Sequence, residues 1–121
     1  MKKQELRIGN YLELPMRDEK VVIVDEVSKD GFIICDVTSN EWPIRDYRPI
    51  PLTEQWLKEF GFEIYKDDSS YTATLVDFKI WKGQFDKLHI WQYPFYHTDI
   101  LYVHQLQNLY FALTGNELIK K

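Results

Sequence analysis

Hydrophobic and polar positions change period several times along this chain, and each change marks an element. From Leu6 to Leu14 the apolar residues alternate loosely (Leu6, Ile8, Tyr11, Leu12, Leu14) around Gly9-Asn10. That pattern predicts a strand interrupted by a bulge or turn at Gly9. Val21 to Val27 is β-branched and apolar, the composition of a strand covered on both faces or nearly so. Ser28-Lys29-Asp30-Gly31 supplies turn chemistry, and Phe32 to Val37 returns as the partner strand. Together these segments predict a small, strongly bent antiparallel sheet of the kind that can close into an SH3-like barrel. Thr38 to Pro51, with Trp42 and several prolines, reads as an irregular connector.

A helical period begins at Leu52. Thr53 is a good N-cap, Glu54 places negative charge at the positive helix end, and Leu52 and Leu57 have the spacing of a hydrophobic staple. Trp56, Leu57 and Phe60 form the apolar stripe, and Gly61 can close the helix in the left-handed conformation. Phe62 to Tyr65 reads as a strand. Tyr71 to Lys82 alternates as one long strand, with Thr72, Thr74, Val76, Phe78 and Ile80 on one face and Ala73, Leu75, Asp77, Lys79 and Trp81 on the other. After Gly83, Asp86 to Tyr93 forms the next strand, and Pro94 ends it. The pattern predicts a meander of three to four antiparallel strands, with a helix over Asp99 to Thr114 packed across it.

That last helix lacks charge. No Asp, Glu, Lys or Arg occurs from Ile100 to Asn116, although 28% of the chain is charged. A lone surface helix carries charge on its wet face, so both faces of this one should be covered. Tyr102, Val103, Leu106, Leu109, Tyr110 and Leu113 form one arc, and Ile100, His104, Gln107, Asn108 and Phe111 lie opposite or beside it. Uncharged polar groups around an apolar anchor suit a protein–protein contact, including a homodimer. Equally, the same face could be buried against the N-terminal sheet or the Trp56 helix.

Composition narrows the classes. With 121 residues, 45% hydrophobic and 16% aromatic, the chain fits a single domain (1–121), or two fused halves at 1–51 and 52–121. A net charge of −4 and a pI near 5.3 argue against a broad basic surface for duplex nucleic acid. The single cysteine, Cys35, lies in an apolar run and reads as a buried thiol. Met1-Lys2-Lys3 runs into Gln4-Glu5, so no secretory leader is expected, nor any membrane span, and the expected location is cytoplasmic.

Chemistry-bearing motifs are sparse. His89, His97 and His104 lack the spacing and the cysteine or carboxylate company of a metal site, so no metal or other cofactor is expected. Gly-rich phosphate loops and nucleophile elbows are absent, and no catalytic residue stands out. Lys79, Trp81, Lys87, His89, Trp91 and Tyr93, placed on one sheet face, interleave cations with aromatics. Such a face suits a nucleotide or single-stranded nucleic acid, unless it is simply core.

Three segments carry a resemblance. Leu6-Arg7-Ile8-Gly9-Asn10-Tyr11, the stretch PIPLTEQWLKEFGF from Pro49 to Phe62, and the stretch YVHQLQNLYFALTG from Tyr102 to Gly115 together resemble a family of small uncharacterised proteins. That family is found in phages, prophages and related mobile elements of gut bacteria. The resemblance covers about a third of the residues and carries over no catalytic or binding residue. It implies a small accessory protein acting in a bacterial cytoplasm by binding a host factor. The expected function is therefore non-enzymatic binding of a protein partner, or of itself, through Ile100, His104, Gln107, Asn108 and Phe111. Nucleotide or single-stranded nucleic-acid binding is the alternative, and a small enzyme of unknown type a further one.

Overall fold

The computed structural model describes residues 1–15, 21–37, 40–68, 70–76, 78–82 and 99–121, and the backbone of 88–90. The protein is α+β. It divides into two units, one made of Met1–Pro51 with Tyr102–Glu117, the other of Leu52–Leu101 with Leu118–Lys121. The terminal helix thus belongs with the N-terminal sheet, where the sequence pattern had assigned it to the meander.

The first unit is a curled antiparallel sheet. After a 3-10 turn at Lys3–Glu5 come β1 (Tyr11–Glu13), β2 (Val21–Val27), β3 (Phe32–Cys35) and β4 (Trp42–Pro43), hydrogen-bonded in that order. The connector after β4 is less irregular than expected, since Ile44–Asp46 forms a second 3-10 turn. It also returns to β1: Glu13 N–H donates to the Arg48 carbonyl at 2.9 Å, and Arg48 N–H to the Glu13 carbonyl at 2.8 Å. Both ends of the sheet are thereby drawn together into a half-barrel. Leu6, Leu12, Leu14, Val22, Val24, Ile33, Cys35 and Tyr47 fill it, and the buried Tyr47 hydroxyl donates to the Ile33 carbonyl at 3.0 Å. Burial, followed by the nearby Cys35, pushes the Tyr47 phenol well above its usual range.

A bulge in β2 decides what this unit shows to solvent. Val24 pairs with Cys35, but the next pair is Glu26 with Ile34, so one extra residue stands in β2. Strict alternation from Val22 and Val24 would turn Glu26 into the core. With the bulge, Asp25 and Glu26 both point outward and Val27 packs against the core.

Helix α2 (Val103–Thr114) completes the unit. It starts later than the sequence suggested because Asp99–Ile100 is a strand. Tyr102 is its N-cap residue, Gln105 reaches back to accept from the Tyr102 N–H at 3.1 Å, and Gly115 at φ 77° closes the far end. Val103 N–H donates to the Ile50 carbonyl at 2.9 Å, and Pro51 bridges Tyr102.

The second unit opens with α1 (Glu54–Glu59), capped by the Thr53 hydroxyl accepting from Trp56 N–H at 3.3 Å and followed by Gly61 at φ 95°. Glu54 bonds Lys66 at 3.0 Å and Lys58 at 3.3 Å, and these cations hold its carboxyl below the usual range. Next come β5 (Glu63–Lys66), β6 (Tyr71–Leu75), β7 (Phe78–Lys82), β8 (Leu88–Ile90) and β9 (Asp99–Ile100), one antiparallel sheet in sequence order. It has five strands where three to four were expected, because Tyr71 to Lys82 folds back on itself and Asp99–Ile100, expected at the start of the helix, adds β9. Leu75 pairs with Phe78 across a two-residue connection, and Val76 there takes φ 54°. The fold-back also swaps faces. Ala73 now lies opposite Ile80, both fully buried, while Thr72 lies opposite Trp81 and Thr74 opposite Lys79 on the outer face.

Candidate binding surfaces

Helix α2 shows where its missing charge went. His104 and Gln107 are each 1% exposed, and Asn108 is half-buried. The Gln107 Oε1 accepts from Tyr11 N–H at 2.9 Å and from Asn10 Nδ2 at 3.4 Å, while its Nε2 donates to the Gly9 carbonyl at 3.1 Å. Asn108 Oδ1 accepts from Asn10 Nδ2 at 2.9 Å and from Arg7 at 3.4 Å, and its Nδ2 donates to the Glu5 carbonyl at 2.6 Å. The Arg7 guanidinium lies 3.8 Å from the centre of the Phe111 ring and pairs with Glu117. Buried side-chain amides are stable only when their donors and acceptors are matched, and here residues 5–11 match them.

The contact surface expected on this helix is corrected accordingly. His104, Gln107 and Asn108 face the protein's own residues 5–11, and Ile100 is buried in β9 of the other unit. Of the five, Phe111 alone stays exposed, at 38%. His104 is a separate case, since neither ring nitrogen has a hydrogen-bond partner and Nε2 lies 3.9 Å from Glu5 Oε1. Burial lowers its pKa, against a smaller upward pull from Glu5.

On the second unit, Lys79 and Trp81 do share the outer sheet face. Lys79 is exposed and Trp81 half-buried, so Trp81 is not a core residue. Tyr65, Thr72, Trp81, His89 and Asp99 occupy directly opposed positions across all five strands. Lys87, Trp91 and Tyr93 lie outside the described residues, as does the His89 side chain. Glu63 stands in the neighbouring row with Thr74 and Lys79, so the described part of this face mixes both signs of charge.

A third surface went unread in the sequence. The outward face of the half-barrel carries an open groove of about 210 Å³ lined by Ile8, Phe32 and Ile34, by Ser28 and the exposed Glu26 and Glu41, and by Val27, which also packs against the core. Each wall has a local cause. The run Phe32-Ile33-Ile34-Cys35 puts Ile33 and Cys35 in the core, leaving Phe32 and Ile34 outside. Glu26 arrives through the bulge. Ile8 sits in the turn Arg7–Asn10, where Gly9 takes φ 98°, Asn10 N–H donates to the Arg7 carbonyl at 3.1 Å, and the Asn10 side chain accepts from Arg7 N–H at 2.7 Å. Arg7, Gly9, Asn10 and Tyr11 all engage α2, whereas Ile8 is 66% exposed. A continuous apolar run normally has cover on both sides. The outer side of this one is open.

Among the described residues, no three His, Cys, Asp or Glu converge as metal ligands, and no helix is long and apolar enough to cross a membrane. Comparison of the chain with protein-family models, curated proteins and solved structures gives no match.

Proposed function

We propose that the protein is a non-enzymatic binding protein of mobile-element origin that engages a protein partner in the bacterial cytoplasm. The contact lies on the groove beside β3 and not on the inner face of α2. One observation carries this reading: Phe32 and Ile8, apolar and 37% and 66% exposed, stand together on a turn and strand held rigid from behind. Large apolar side chains gathered on a braced surface are what protein interfaces use as anchors.

Site-specific photo-crosslinking tests it. A photoreactive residue at Phe32 or Ile8 should capture a partner in host cells, and one at His104 should not. Capture from His104 with none from the groove would return the contact to the helix.

Nucleotide or single-stranded nucleic-acid binding through Lys79 and Trp81 is the second reading. It is favoured by the cross-strand placement of Tyr65 and Trp81 on one outer face, and opposed by the carboxylates of Glu63 and Asp99 in the same rows. Alanine at Trp81 should then weaken oligothymidylate binding while leaving the melting temperature nearly unchanged.

A further inference from the structure

The groove's chemistry also specifies its occupant, given the reading above that it is a binding surface. We infer that it receives a short cationic segment of a partner protein, in which an aliphatic or aromatic side chain is flanked by Lys or Arg. Size comes first. At about 210 Å³ the groove falls below the roughly 300–1,000 Å³ of small-molecule and cofactor sites, and suits one or two inserted side chains.

Charge then selects among macromolecules. Glu26 and Glu41 both line the groove and are exposed, and neither has an ion-pair partner among the described residues. Nucleic acid and anionic lipid would be repelled by these carboxylates. A second copy of this chain fits no better. A two-fold contact places the same patch on both sides, setting Glu26 and Glu41 against their own counterparts in a chain of net charge −4. A cationic segment meets apolar walls and exposed carboxylates together, with Arg or Lys satisfying Glu26 and Glu41, which have no ion-pair partner among the described residues.

The test is a selection of random 12-residue peptides by mRNA display on the full-length chain, with binding of the winners measured by fluorescence anisotropy. Winners should share an apolar residue within three positions of Lys or Arg. Their affinity should fall tenfold or more in Phe32→Asp, in Ile8→Asp, and in the double variant Glu26→Lys/Glu41→Lys. Both apolar positions are on the surface, so a folded circular-dichroism spectrum is expected from each variant, and two independent positions guard against one misfolding. Winners lost in Phe32→Asp and Ile8→Asp but uncharged, and indifferent to the Glu26→Lys/Glu41→Lys exchange, would overturn the cationic occupant and leave the groove standing. Winners indifferent to Phe32→Asp and Ile8→Asp, or the absence of winners, would overturn the groove itself.

Discussion

Replacing Gln107 by Leu separates an internal role for the uncharged helix from an external one. The amide accepts from Tyr11 N–H at 2.9 Å, donates to the Gly9 carbonyl at 3.1 Å and makes a longer contact with Asn10 at 3.4 Å, all at 1% exposure. Leu fills a similar volume but offers no acceptor to Tyr11 N–H and no donor to Gly9. Removing one partner of a buried hydrogen bond costs about 1–3 kcal/mol, so the two strong bonds imply about 2–6 kcal/mol. The added apolar burial returns about 1 kcal/mol, leaving a net loss of about 3 kcal/mol. For a chain of this size that lowers the melting temperature by roughly 10 °C. Urea denaturation should move the midpoint with an unchanged slope. Gln107→Glu sharpens the test. It keeps an acceptor for Tyr11 but turns a carboxylate oxygen toward the Gly9 carbonyl. Its carboxyl should therefore titrate higher folded than unfolded, and its deficit should shrink at low pH and grow as pH rises. A loss below about 0.5 kcal/mol for Gln107→Leu would mean the network does not hold the helix, and the reasoning would fail.

Two further outcomes follow from local chemistry. His104 is buried and neutral in the fold with its pKa depressed, so the unfolded chain binds more protons below the reference value of 6.5. Stability should be level above that pH and decline below it, by at most about 1.4 kcal/mol per pH unit. His104→Leu should remove this slope while changing stability little at pH 7, as read by urea melts from pH 5 to 8. Val76 takes φ 54° at the tip of the β6–β7 hairpin, a conformation that β-branched residues resist. Val76→Asn should stabilise by about 1 kcal/mol in the same assay, and a loss would argue against the left-handed turn.

How far the sequence could be read depended on whether the deciding interaction was local. The α1 cap at Thr53, the span Val21–Val27 and the positive φ of Gly31 and Gly61 follow from residues within a few positions, and they were legible. The β6–β7 hairpin was not, because Val76-Asp77 offers no glycine or asparagine and the alternation runs through it without a break. The bulge at Asp25 was hidden for the same reason, and with it the outward turn of Glu26. Helix α2 marks a different boundary. Its lack of charge signalled cover that the structure gives only to the first part of the helix: Val103, His104, Leu106, Gln107 and Tyr110 are buried, but Phe111 to Asn116, Leu113 of the expected core arc among them, are exposed. Gln107 and Asn108 bond to residues about a hundred positions away. Nothing in the helix itself distinguishes its own chain from a foreign one. The groove was missed because Phe32 and Ile34 look like core in a run where Ile33 and Cys35 are core.

Hydroxyl-radical footprinting of the isolated protein, read by mass spectrometry, tests most directly which face is sealed and which is open. Phe32 and Ile8 should oxidise readily while His104 stays protected despite the intrinsic reactivity of its ring. Strong oxidation of His104 with Phe32 and Ile8 shielded would contradict both the internal network and the exposed groove.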